Sequence, residues 1–84
     1  MIKICKLARN YGLFIIEDCS QAHGTKLNGK LVGSFGNISC FSFYATKHMT
    51  TGEGGILCTN DKKIFNFCKS FRNHGMIDRD THIR

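Results

Sequence analysis

No stretch of this chain approaches the ~18 uninterrupted apolar residues that a membrane-spanning helix needs. The N-terminus does not bunch its positive charge ahead of an apolar block. Lys3, Lys6 and Arg9 are spread through it, which is not the layout of a secretory signal. Cysteine occurs at positions 5, 19, 40, 58 and 68, and no two of these form the Cys-x-x-Cys pair used by zinc and redox sites. Five is an odd number, and Cys40 and Cys58 sit inside apolar runs where a free thiol behaves as a small hydrophobe. Reduced cysteines in the cytoplasm are therefore expected. The histidines (His23, His48, His74, His82) are too scattered for a ligand pattern, so no metal is expected. Acid is scarce, with 6 Asp and Glu against 12 Lys and Arg and a net charge of +6. Yet the basic residues are distributed along the whole chain, and only Lys62-Lys63 are adjacent. Nucleic-acid binders gather such residues on one face, often beside exposed aromatics, so neither nucleic acid nor membrane is an expected partner. The charge reads as solvated surface that draws in anionic substrates.

What is present belongs to a folding chain. Hydrophobic residues make up 42% of it and charged residues 21%, which argues against a disordered tail. A chain of 84 residues holds one domain with a thin core.

Ile4, Leu7, Ala8 and Tyr11 recur at helical spacing, and Gly12 follows where a helix ends in a left-handed residue. Leu13–Ile16 is a short continuous apolar run stopped by Glu17-Asp18, the pattern of a strand buried on both faces in a parallel sheet. Asn28-Gly29 between two short runs predicts a hairpin over 25–32. Residues 33–37 form a turn-rich link. Strands are expected at Ile38–Tyr44 and Gly55–Thr59, with an irregular glycine-rich segment between them. Asn60 or Asp61 caps a last helix with the apolar stripe Ile64, Phe67, Cys68 and Phe71, and beyond Gly75 the sequence turns polar. The fold class is α/β, a mainly parallel sheet flanked by helices. With no capping residue before the first helix and no closing element at the end, the chain reads as a segment of a larger α/β protein.

One motif is a decoy. Gly24-Thr25-Lys26-Leu27-Asn28-Gly29-Lys30 matches the opening of a phosphate-binding P-loop, but Leu31 stands where magnesium coordination needs Ser or Thr. The hairpin turn accounts for its second glycine. The stronger constellation lies at strand ends, because open α/β sheets bind ligands beyond the carboxyl ends of their strands. Asp18 closes the first strand, and Ser42 and Lys47 lie at and beyond the end of the second. An acid, a hydroxyl and an amine thus converge on one rim.

At these residues the sequence resembles a known family. Ile16-Glu17-Asp18-Cys19-Ser20-Gln21-Ala22-His23-Gly24 is similar to the "EDxAQAHG" stretch of the DegT/DnrJ/StrS family of pyridoxal phosphate (PLP) enzymes. Phe41–Lys47 followed by Met49–Gly55 resembles its cofactor-lysine segment, and Arg72-Asn73-His74-Gly75 its "RNHG" signature. The resemblance covers essentially all of residues 1–84 in the family's order. It implies a fragment of the PLP-binding large domain of a type I aminotransferase. It also implies amino transfer from an amino acid, glutamate, to a nucleotide-linked keto sugar for lipopolysaccharide or other surface polysaccharides. On this resemblance Lys47 would bind PLP covalently and shuttle the proton, and Asp18 would pair with the pyridine nitrogen. Gln21 would hydrogen-bond the phenolic oxygen, and Ser42 would hold the phosphate. All four should face one cavity.

His23, Glu53 and Asn73 fall in family motifs without an assigned role. Cys19 and Ser20 stand where the family commonly has Ala. The upstream phosphate loop, the aromatic that stacks on the ring and the small domain would lie outside this chain, and a partner subunit of a homodimer would complete each site. Two other readings stand beside this one. The first is a PLP-dependent sugar dehydratase of the same family, in which histidine replaces the lysine; here Lys47 holds that position and His48 follows it. The second is a non-catalytic truncated fragment or binding module.

Overall fold

The computed structural model describes residues 1–76; the polar stretch expected toward the C-terminus lies mostly outside them. Helix α1 spans Ile2–Tyr11 and ends as expected. Gly12 adopts φ 63, and its N–H reaches back to the carbonyls of Ala8 and Arg9. Five short strands follow: β1 Ile16–Asp18, β2 Lys26–Leu27, β3 Lys30–Leu31, β4 Ile38–Ser42 and β5 Gly55–Cys58. Helix α2 covers Lys62–Arg72. Its cap is Asp61, whose Oδ1 accepts from the N–H groups of Lys63 at 2.7 Å and Ile64 at 3.1 Å.

Strands β1, β4 and β5 form one sheet in that order. The β1–β4 pair is parallel, with Ile16 opposite Ile38, Glu17 opposite Ser39 and Asp18 opposite Cys40. The crossover between them carries the β2–β3 hairpin rather than a helix. Its turn is the one Asn-Gly demands, with φ 51 at Asn28 and 79 at Gly29. The β4–β5 pair is antiparallel, from Ser39 opposite Cys58 to Ser42 opposite Gly55. The sheet is therefore mixed. The segment joining β4 to β5 returns directly without a helical crossover, and that connection makes an antiparallel neighbour.

Two expectations need correction. The first strand begins three residues later than the apolar run. Leu13 gives its N–H to the Ala8 carbonyl at the end of α1 at 2.8 Å. The Ile15 N–H goes to Asn37 Oδ1 at 2.8 Å. The ladder is free to start only at Ile16. Nor is the run buried on both faces, since Leu13, Phe14 and Ile16 are 61%, 68% and 66% exposed. The helical stripes are likewise open, with Phe67 and Phe71 stacked on one another at 5.9 Å and exposed. The described residues make a slab of 46 × 37 × 15 Å. Its radius of gyration is 15.1 Å, against about 12 Å for a closed domain of this length. A slab 15 Å thick is one sheet with partial cover. Among the described residues no helix is long and apolar enough to cross a membrane.

Burial concentrates under the crossover, and its centre is an acid. Glu17 is only 7% exposed. One carboxylate oxygen accepts from the Gly33 N–H at 2.9 Å. The other accepts from the Phe35 and Gly36 N–H groups at 2.8 and 2.7 Å. Lys30, whose Nζ lies 4.6 Å from the Phe35 ring centre, adds a favourable charge. Desolvation pushes this carboxyl up, but the three N–H donors together with Lys30 outweigh it and hold it below the ordinary glutamate range. A carboxyl lowered on folding contributes stability that is present above its unfolded value and lost as pH falls through its folded one. Glu17→Gln should therefore lower unfolding free energy at pH 7 by about 2 kcal/mol. The gap between wild type and variant should close as pH falls below the ordinary value of 4.5. Denaturation midpoints of both proteins against pH check this, and a gap that ignored pH would refute the charge-assisted account.

Candidate functional site

Parallel pairing sets the acid and the hydroxyl at the same end of the sheet. Asp18 is the last residue of β1 and Ser42 the last of β4. Asp18 lies opposite Cys40, and Ser42 is two residues further along β4, so Asp18, Cys40 and Ser42 project from one face. Glu17 and Ser39 project from the other. At about 3.3 Å per residue, Ser42 stands roughly 7 Å beyond the level of Asp18.

Asp18 is exposed and tethered by one oxygen. Its Oδ1 accepts from Ser20 Oγ at 2.6 Å and from the Ser20 N–H at 3.0 Å. Among the described residues Oδ2 accepts no hydrogen bond. The Ser20 hydroxyl, then its N–H, and last the charge of Lys47 hold this carboxyl below the ordinary aspartate range, against the opposing effect of desolvation. Asp18 is thus kept ionised, with one oxygen fixed and the other available.

Lys47 is half-buried in the loop after β4. Its N–H bonds the Tyr44 carbonyl at 2.9 Å. The base of that loop is closed through Phe43, which donates to the Gly54 carbonyl at 2.8 Å and accepts from the Thr51 N–H at 2.9 Å. The Thr50 hydroxyl adds a second bond to the Phe43 carbonyl at 2.8 Å. Phe43 and Tyr44, expected to extend β4, serve this closure instead, and the Ser42 hydroxyl accepts from the Tyr44 N–H at 3.3 Å. Gln21 is exposed on the segment leaving β1.

Asp18 and Ser42 therefore share a face, with Lys47 near enough for its charge to act on Asp18, and Gln21 lies on the adjoining loop. The four do not share the cavity that Asp18 lines. That cavity, of about 340 Å³, is bounded by Met1, Ile4, Ile15, Ile16, Cys19 and Val32 among others, on the α1 side of β1.

Sequence reasoning left two residues without weight that prove central to the geometry. Ser20, a departure from the family pattern, tethers Asp18. Asp favours the Asx turn, in which its side chain accepts the N–H two residues on, but nothing in the sequence marks this Asp as making one. Glu17 looked like a mere strand terminator. His23, also without an assigned role, packs its ring 5.5 Å from Phe41, 6.0 Å from Phe43 and 6.3 Å from His48, the neighbour of Lys47. Both its ring nitrogens are buried without a partner among the described residues. It wedges the segment after β1 against the lysine loop. Asn73 has a local task, ending α2 with its N–H on the Ser70 carbonyl at 2.8 Å.

Chemically, the rim offers an ionised carboxylate for a cationic ring nitrogen, a hydroxyl for a phosphate and an amine on a closed loop. This donor set fits PLP. Among the described residues no group of three or more His, Cys, Asp or Glu could hold a metal ion.

Comparison with known proteins identifies the family of the chain. The model of the DegT/DnrJ/EryC1/StrS aminotransferase family matches residues 1–83. The chain is 50% identical over 76 residues to a GDP-perosamine synthase from Escherichia coli, covering 90% of this chain and 21% of that enzyme. Among solved structures, a DegT DnrJ EryC1 StrS aminotransferase from Brucella abortus superposes with a TM-score of 0.90 at 34% identity, covering 98% of this chain and 22% of that one. PseC from Helicobacter pylori, an aminotransferase involved in the biosynthesis of pseudoaminic acid, gives 0.85 at 42% identity over 90% of this chain and 20% of its own. The chain spans about a fifth of the length of the relatives it matches. Its α/β architecture is a portion of the fold of these aminotransferases.

Proposed function

Because the chain belongs to the DegT/DnrJ/EryC1/StrS aminotransferase family, we propose that residues 1–84 are a piece of a PLP-binding large domain and carry its cofactor lysine. The reaction is transfer of an amino group from an amino acid, glutamate, to a keto sugar linked to a nucleotide, in surface polysaccharide synthesis in the cytoplasm, by a homodimer. The observation that carries this reading is the shared rim, where Asp18 ends β1, Ser42 ends β4 and the charge of Lys47 reaches Asp18.

When bound, PLP supplies an electron sink for proton removal at the carbon that bears the amino group. Lys47 would anchor the cofactor through Nζ and, once the incoming amine of the donor has displaced it, its free amine would carry the proton between carbon atoms. Asp18, ionised and tethered by Ser20, holds a proton on the ring nitrogen. Gln21 would donate to the phenolic oxygen, and the Ser42 hydroxyl would bind the phosphate. The names of the relatives support the substrate class, since they include a GDP-perosamine synthase and a UDP-linked altrosamine transaminase.

The test is covalent mapping. The protein as encoded in its genome, incubated with PLP and reduced with borohydride, should carry one pyridoxyl group on the peptide containing Lys47. Glutamate and a nucleotide-linked keto sugar should then give 2-oxoglutarate and the amino sugar. A label on any other lysine, or none, would overturn the reading.

A further inference from the structure

The mechanism proposed above uses Asp18 but leaves its buried neighbour without a task. Glu17 is a buried acid, with only 7% of the residue exposed. Its carboxylate collects three backbone N–H groups, from Gly33, Phe35 and Gly36, at 2.7–2.9 Å. Burying a carboxylate is costly, and a lone strand terminator would not need to be buried. Three features of the surrounding structure indicate what this clasp does.

First, Glu17 and Asp18 are consecutive in a strand, so they leave opposite faces and turn together. Rotation of one is rotation of the other. Second, the clasped loop leads straight into β4. Asn37, the next residue, gives its N–H to the Ile15 carbonyl at 2.9 Å and takes the Ile15 N–H on its side chain at 2.8 Å, and the ladder begins one residue later. Holding residues 33–36 therefore holds the register in which Asp18 faces Cys40, and with it the offset between Asp18 and Ser42. Third, the loop has no slack. A Cβ on Gly36 would lie 2.7 Å from Ile15 Cγ2 and 2.8 Å from the Ile15 carbonyl oxygen. One on Gly33 would lie 2.7 Å from Phe41 Cζ. The loop is seated directly on the strands, and the carboxylate is the polar group that keeps it there.

We infer that Glu17 is a positioning residue for the cofactor site: by clasping the 33–36 loop it fixes the rotation of β1 and its register with β4, and so the placement of Asp18 relative to Ser42. This rests on the PLP reading of Asp18 given above. It differs from a plain contribution to stability, because it predicts that the effect of Glu17 on the cofactor is transmitted through the Asp18 carboxylate.

A double-mutant cycle on PLP affinity separates the two, using the protein as encoded in its genome and a fluorescence titration that needs no turnover. Glu17→Gln should weaken PLP binding about tenfold when Asp18 is intact, within the range for coupled neighbours. In the Asp18→Asn background the same change should cost less than about twofold. Where Glu17→Gln fails to fold, Gly36→Ala lifts the same loop with the carboxylate in place and should show the same dependence on Asp18. Equal losses in both backgrounds, or no loss in either, would overturn the positioning role while leaving the PLP reading intact. If Asp18→Asn by itself left PLP affinity unchanged, the cofactor reading would fail, and with it the inference built upon it.

Discussion

Lys47→Ala should abolish turnover and, with it, the visible absorption band of the lysine-bound cofactor. On the proposed reading the substitution removes the covalent anchor and the proton carrier at once. Positioned proton transfer alone contributes about 10²–10⁴-fold, so activity should fall by at least about 10²-fold and further for the lost anchor. The loop itself should survive, because its closure runs through backbone groups of Phe43 and Gly54 and the Thr50 hydroxyl, none of which involves the lysine side chain. An unchanged far-ultraviolet spectrum with the visible band lost is therefore the expected pair of measurements. Lys62→Ala, on the exposed first turn of α2, should alter neither. Retention of wild-type turnover and band in Lys47→Ala would remove the lysine from the reaction.

Asp18→Asn should behave differently. The amide still has an oxygen for the Ser20 hydroxyl and N–H, so the turn after β1 should persist. What would be lost, on the proposed reading, is the negative charge that holds a proton on the ring nitrogen. Removing one preorganised charge-stabilising partner typically costs about 10²–10³-fold in rate. The visible band should remain, perturbed in position, while the half-reaction with glutamate slows by that factor in stopped-flow absorbance. A variant that lost the band entirely would point to a structural role for Asp18, and one with unchanged rates would exclude it from the site.

The sequence made the punctuation of this fold legible. Gly12, Asn28-Gly29 and Asp61 act where local chemistry alone decides, at a left-handed helix end, a hairpin turn and a helix cap. Asp18 was legible as a strand end for a related reason, since the apolar run stops beside it; the end of β4 was read two residues late, because Phe43 and Tyr44 close the loop that follows. What could not be read was set by partners distant in sequence. The start of β1 was displaced because Asn37, 22 residues away, takes the Ile15 N–H. The direction of β5 depends on how the chain returns after the lysine loop, which periodicity does not encode. The task of Glu17 was hidden because its partners are backbone N–H groups, which leave no mark in the side-chain pattern. Burial was misjudged for Leu13, Phe14, Phe67 and Phe71, since an apolar residue states a preference for cover and not whether cover is present.

The crossover from β1 to β4 also divides the chain by its tolerance to changes in length. A residue inserted just ahead of Glu17 would exchange the faces of the two acids, sending Glu17 to the rim and Asp18 under the loop. The tip of the hairpin imposes no such constraint. Gly29 has nothing within 4 Å of where a Cβ would stand, and the strands on either side are two residues long and exposed. An inserted tag or fluorophore should be accommodated at Asn28–Gly29 without disturbing either acid.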